Sequence, residues 1–79
     1  HPVALITGSS KRIGATIARQ LHAAGYNLIL HYRDSKTDAE LLVQELNQAR
    51  NDSAVAIAAD LDKPDDIERL STFSVKAFG

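Results

Sequence analysis

The segment best equipped for chemistry is Thr7-Gly8-Ser9-Ser10-Lys11-Arg12-Ile13-Gly14. It follows a short apolar run, Val3-Ala4-Leu5-Ile6, and leads into Ile13, Ile17, Leu21 and Ala24, apolar positions at helical spacing. The first N–H groups of a helix lack intrahelical partners, and the helix dipole favours negative charge there. A glycine-bounded loop at such a junction therefore suits a phosphate. Gly8 permits the tight turn, and Gly14 lets the helix pack close to the strand. Ser9 and Ser10 add hydroxyl donors, while Lys11 and Arg12 add positive charge. The spacing is neither G-x-G-x-x-G nor a mononucleotide loop, because no Gly-Lys-Ser/Thr follows at the required distance.

A second group of donors lies further along, in His31, Arg33 and Ser35. Together with Lys11 they form a cluster whose common chemistry is anion binding. In dinucleotide-binding folds the end of the second strand reads the adenosine ribose. An acid there takes a free 2′-hydroxyl, and a base takes a 2′-phosphate. Arg33 argues for the phosphate, and hence for NADP(H). Asp34 lies 20 residues after Gly14, near the spacing of a ribose-reading acid. A carboxylate would repel a 2′-phosphate, so Asp34 is expected to point outward into the turn.

These residues need a scaffold, and the chain reads as three β-then-α units. Val3–Ile6 is a strand of the continuously apolar kind found inside parallel sheets. A first helix begins near Ile13 and ends at Gly25. Residues 26–32 form a second strand, and residues 37–50 a second helix with Ala39, Leu42, Val43, Leu46 and Ala49 on one face. Asn51-Asp52-Ser53 breaks that helix. Residues 54–59 form a third strand. Asp62-Lys63-Pro64-Asp65-Asp66 starts a third helix, with an acidic capping candidate and an early proline. Ile67, Leu70, Phe73 and Ala77 continue it. The pattern predicts an α/β fold, the first half of a doubly wound parallel (Rossmann) sheet in the order 3-2-1. Strand 1 would then have an open apolar edge, which natural proteins avoid. Residues 1–79 are accordingly expected to be an incomplete domain.

The phosphate loop resembles the T-G-x-x-x-G-x-G signature of short-chain dehydrogenases/reductases, with Arg12 in place of the middle glycine. That substitution is similar to the pteridine reductases of the family. So are the H-Y-R-x-S segment at His31 to Ser35 and Ala59-Asp60-Leu61. Glu45-Leu46-Asn47-x-Ala49-Arg50 and Lys76-Ala77-Phe78-Gly79 have the same look. The resemblance covers the whole chain. It implies an NADP(H)-binding segment of an enzyme that reduces pterins or folates by hydride transfer, and a homo-oligomer, a tetramer in the family. It also implies that Tyr32 stands where NAD-dependent members carry their acid, that Lys11 occupies a position often basic in NADP-dependent ones, and that Asp60 and Leu61 frame the adenine. Arg12 would hold the pyrophosphate and reach the substrate. The family's catalytic Tyr and Lys are expected outside this chain, so no catalytic residue is assigned within it. Asp34 departs from the basic residue common in pteridine reductases. Two other functions fit the same residues: a different NADP-dependent short-chain reductase, of an oxoacyl or sugar substrate, and a non-enzymatic NADP-binding module.

Composition excludes several classes. At 79 residues the chain is one small domain or part of one, and its net charge of −1 points to neither nucleic acid nor a membrane surface. With no cysteine it has no disulfide framework and no thiolate metal site, as expected of a cytoplasmic protein. No signal peptide is evident, and the lack of an initiator Met suggests a trimmed start. His1, His22 and His31 lack metal-ligand spacing, and His22 is expected on the outer part of the first helix.

Overall fold

A computed structural model describes residues 1–8 and 12–78. The elements run β1 (Val3–Ile6), α1 (Arg12–Ala23), β2 (Asn27–Tyr32), α2 (Lys36–Ala49), β3 (Ala54–Ala58) and α3 (Pro64–Lys76). The three strands form one parallel sheet in the order β1-β2-β3, with Val3 opposite Asn27 and Leu28 opposite Ala54. This is the partial Rossmann arrangement that the alternating pattern demands.

Side-chain alternation along β2 builds two cores. Leu28 and Leu30 point to one face, where they meet Ile6, Ala18, Leu42, Leu46 and Ala54 beneath α1 and α2. Ile29 points to the other, with Ile57, Ala59 and Leu70, so α3 covers the opposite side. Crossing from one face to the other after β3 is what makes the fold doubly wound. β2 has a strand on each side and helices on both faces, and it carries the most deeply buried large side chains, Leu28, Ile29 and Leu30. Truncating one of these leucines to alanine would cost roughly 2–5 kcal/mol.

β1 is covered on one face only. Ala4 and Ile6 turn toward α1 and α2. Val3 and Leu5 remain exposed and, with Ile29, Ile67, Leu70 and Val75, line an apolar groove of ≈ 510 Å³. Helix α1 also differs from the face its apolar spacing suggests. Ile13 is 76% exposed and Ile17 is exposed as well, while Ala18 and His22 are buried. Small residues let the helix axis approach the sheet, so the Ala15–Ala18 side docks and the isoleucines turn toward the rim of the cleft described below.

His22 is the clearest departure. It lies inward rather than on the outer part of α1, at 5% exposure, and its Nε2 is 2.6 Å from Ser53 Oγ. Ser53 Oγ in turn donates to Arg50 O at 2.5 Å. The single hydroxyl proton is used there, so His22 Nε2 must carry the proton shared with Ser53. Arg50 donates to the carbonyls of His22 (3.0 Å) and Tyr26 (2.5 Å) and to Asn27 Oδ1 (3.2 Å). Asn47 Oδ1 accepts from the N–H groups of Ser53 and Ala54, both at 2.9 Å, and its Nδ2 donates to Ala54 O at 3.0 Å. This polar knot ties the C-terminal ends of α1 and α2 to the starts of β2 and β3. Burial, reinforced by the charge of Arg50, pushes the His22 pKa down.

Two helix ends show how local chemistry sets the turns. Gly25, at φ +98°, closes α1: its N–H donates to His22 O at 3.0 Å and the Tyr26 N–H to Leu21 O at 3.1 Å. These bonds satisfy otherwise orphaned carbonyls in the left-handed geometry that glycine tolerates. At α3 the N-cap is Lys63, with no side-chain capping bond, so the acidic cap expected in this turn is not made. Asp66, in the first turn, instead accepts the Asp60 N–H at 2.8 Å, fastening α3 to the end of β3.

Candidate functional site

The C-terminal ends of the three strands share one edge of the sheet, and the loops that leave them carry the residues of interest. Ile6 ends β1, and Gly8 follows in the left-handed region at φ +63°. An added Cβ at Gly8 would meet nothing within 4 Å, so backbone conformation alone demands glycine here. Arg12 is the first residue of α1, exposed, and its carbonyl accepts the Thr16 hydroxyl at 3.0 Å. Ser9, Ser10 and Lys11 lie outside the described residues. Thr7, Gly8, Arg12, Ile13, Gly14, Ile17, His31 and Leu61 are among the residues that enclose a cleft of ≈ 620 Å³. A pocket of that size is in the range that accepts a small organic ligand.

A smaller cavity of ≈ 200 Å³ adjoins it, between His31, Arg33, Ala59, Asp60, Leu61 and Asp62. Ala59 is buried, and its N–H donates to Tyr32 O at 3.0 Å. Asp60 Oδ1 accepts the Asp62 N–H at 2.9 Å, so this carboxylate shapes its own turn. Its other oxygen stands 3.7 Å from an Arg33 nitrogen. Asp34 is 88% exposed, and its carboxylate is 4.0 Å from Arg33 Nε. The side chain thus projects into solvent, outward from the turn as expected. Ser35 is the N-cap of α2, with no side-chain capping bond.

His31 stands between the two cavities. It is 5% exposed, with Nε2 2.7 Å from Ala59 O and Nδ1 3.4 Å from the Gly8 nitrogen. The structure thus brings Gly8, Arg12, Ile13, Gly14, His31, Arg33, Ala59, Asp60 and Leu61 to one end of the sheet. One pattern in the sequence needs the structure to interpret it. Tyr32 and Lys36 have Tyr-x-x-x-Lys spacing, but Tyr32 ends β2 and Lys36 begins α2. Positions i and i+4 share a face within one regular element, and these two lie in different elements. Lys36 pairs instead with Glu40 at 3.8 Å. Among the described residues no group of three or more His, Cys, Asp or Glu could hold a metal ion, and no helix is long and apolar enough to cross a membrane.

The sequence profile of the short chain dehydrogenase family matches residues 2–79. The chain belongs to that family. Among similar proteins, pteridine reductase 1 of Leishmania tarentolae is 52% identical over 60 residues, 76% of this chain and 21% of that protein. A short-chain dehydrogenase/reductase of Pestalotiopsis microspora is 43% identical over 77 residues, 98% of this chain and 29% of that one. A 3-oxoacyl-acyl-carrier-protein reductase of Staphylococcus epidermidis is 40% identical over 76 residues, 96% and 31% respectively. The chain therefore spans between about a fifth and a third of the length of these relatives.

Proposed function

We propose that residues 1–79 are the N-terminal, NADP(H)-binding part of a short-chain oxidoreductase that reduces pterins or folates. Arg12 carries this reading. It opens α1 where the family signature has a glycine, and it lines the cleft beside Gly8. The left-handed Gly8 and the start of α1 suit a pyrophosphate, and the open space above Gly8 leaves room for it. Bound there, the nicotinamide dinucleotide would supply the hydride. Arg33, 61% exposed on its side chain beside the smaller cavity, would meet a 2′-phosphate, with Ser35 following it. Asp60 and Leu61 would border the adenine. A planar guanidinium at position 12 can pair with a phosphate and lie beside a flat heterocycle, which a glycine cannot do. Similarity to a protein named pteridine reductase supports the substrate class. The protons of the reaction would be handled by residues outside this chain, and the complete enzyme would work as a cytoplasmic homo-oligomer.

The test is Arg12→Gly in the full-length protein. NADPH affinity should change by less than about tenfold, the scale of one partly exposed charge-assisted contact. The kcat/KM for a dihydropterin should fall further, because a substrate contact is lost while the other cofactor contacts remain. An unchanged pterin rate refutes the assignment. A second reading, reduction of an oxoacyl thioester, draws on the relative that matches 96% of this chain. It requires activity on that substrate class that Arg12→Gly leaves in place.

A further inference from the structure

We propose that His31 is a positioning residue for the dinucleotide site, a bridge that fixes the spacing between the phosphate loop and the loop after β3. The inference rests on the dinucleotide reading above and assigns His31 a role other than direct donation to an anion.

The argument begins with topology. β2 is the middle strand, so a side chain near its C-terminal end has the loop after β1 on one side and the loop after β3 on the other. His31 reaches both. A carbonyl only accepts, so Nε2, 2.7 Å from Ala59 O, carries the ring proton. An amide N–H only donates, so Nδ1, 3.4 Å from the Gly8 nitrogen, presents its lone pair. The two contacts tie the ring to the loops on either side of β2. Among the described residues the two cavities have His31 and Leu61 in common, and His31 joins their walls by hydrogen bonds. Along a dinucleotide, the pyrophosphate and the adenosine are separated by a fixed covalent length. Two loops that must grip both parts bind best when their separation is set beforehand, since ordering them on binding costs affinity. The Ala59 bond is buried and the Gly8 contact part-buried, so water competes little for the first.

Side-chain amides separate the two contacts. In His31→Asn the shorter amide places its Oδ1 where Nδ1 stands and can accept from Gly8. In His31→Gln the longer amide reaches the place of Nε2 and can donate to Ala59. The measurements are NADPH Kd by fluorescence titration and Tm, on full-length wild type, His31→Asn, His31→Gln and His31→Leu. Each amide variant keeps one end of the bridge and loses the other, so both should raise the Kd about fivefold to tenfold, the scale of one net hydrogen bond. His31→Leu loses both ends at once; its Tm should fall further than theirs while its Kd stays near theirs, because a bridge open at one end no longer fixes the spacing. Wild-type affinity in either amide variant, or Kd changes that simply follow Tm across the series, overturns the proposal and leaves the dinucleotide reading standing. A wild-type protein that binds neither NADPH nor NADH overturns both. If His31→Leu fails to fold, the two amide variants still decide.

Discussion

Ser53→Ala tests the polar knot at the end of the sheet away from the cleft. Ser53 is fully buried, accepts a hydrogen bond from His22 Nε2 at 2.6 Å and donates its own to Arg50 O at 2.5 Å. The substitution removes one hydroxyl from a close-packed site and opens almost no space, so packing contributes little. The main cost is the His22 Nε2–H, left buried without its acceptor, at about 1–3 kcal/mol. Some of the loss at Arg50 O is absorbed, because that carbonyl belongs to a half-exposed turn. A net destabilisation of about 2 kcal/mol is expected from equilibrium denaturation of the full-length protein near neutral pH. The mechanism also predicts strong coupling. With His22→Leu already in place there is no imidazole donor to strand, so adding Ser53→Ala should cost about 1 kcal/mol less than it does alone. A loss below about 0.5 kcal/mol, or strict additivity in the double variant, would refute the reasoning.

Other consequences are independent. His22 has a pKa below its ordinary 6.5 because burial, and then the Arg50 charge, disfavour protonation in the folded state. The unfolded chain therefore takes up the proton first as pH falls. The contribution of neutral His22 is full above about pH 6.5 and is lost as pH drops from there toward the depressed folded value. Tm should decline more steeply below that pH in wild type than in His22→Gln, and equal slopes would contradict it. Arg19 Nε and Nη2 donate to the two Glu45 oxygens at 2.7 and 3.1 Å, raising the Arg19 pKa and lowering that of Glu45. Both side chains are about half exposed, so a double-mutant cycle should give only about 0.2–1 kcal/mol and shrink in high salt; a larger, salt-insensitive value would be inconsistent. Gly8→Ala should destabilise by about 1–2 kcal/mol from its left-handed backbone alone, and Gly8→Asn by less; equal losses would point to a steric cause instead. Arg33→Asp should weaken NADPH about tenfold to a hundredfold, and NADH much less, by exchanging a charge-assisted partner for a repelling carboxylate; equal losses would remove Arg33 from the 2′-phosphate.

Much of this could be read from the residues. β1 was legible to its ends because Val3–Ile6 is an unbroken apolar run between a proline and a threonine. The element order and strand order followed from alternation and crossover handedness, and the loop after β1 from Gly8 and its position before a helix. What eluded the pattern was which side of α1 faces the sheet. Apolarity favours Ile13 and Ile17, yet close approach of the backbone favours Ala15 and Ala18, and steric proximity wins. His22 follows from the same rotation, since it lies four positions after Ala18. Its partner could have been sought in Ser53, a small polar residue beside a strand start, but no spacing rule connects residues 31 positions apart. His31 was legible as a member of the candidate cluster; its contacts to the loops after β1 and β3 depend on β2 being central, a fact about three strands at once.

The register of the sheet bears on how the chain reaches this state. Val3 pairs opposite Asn27, and Leu28 opposite Ala54, so every strand contact closes a loop of about two dozen residues with a helix inside it. No part of the sheet can grow by zipping outward from a tight hairpin, as an antiparallel pair can. Loop-closure entropy is spent before the first ladder bond forms, and that is slow unless the intervening segment is already shortened. Coiling α1 and α2 does the shortening, bringing the ends of each crossover within a strand's width. Placing glycine rather than alanine at exposed positions of those helices should therefore lower the folding rate, and the same exchange on α3 should act chiefly on unfolding. The central strand, the best buried element at the end, is on this view the one that has to wait for both of its neighbours' helices.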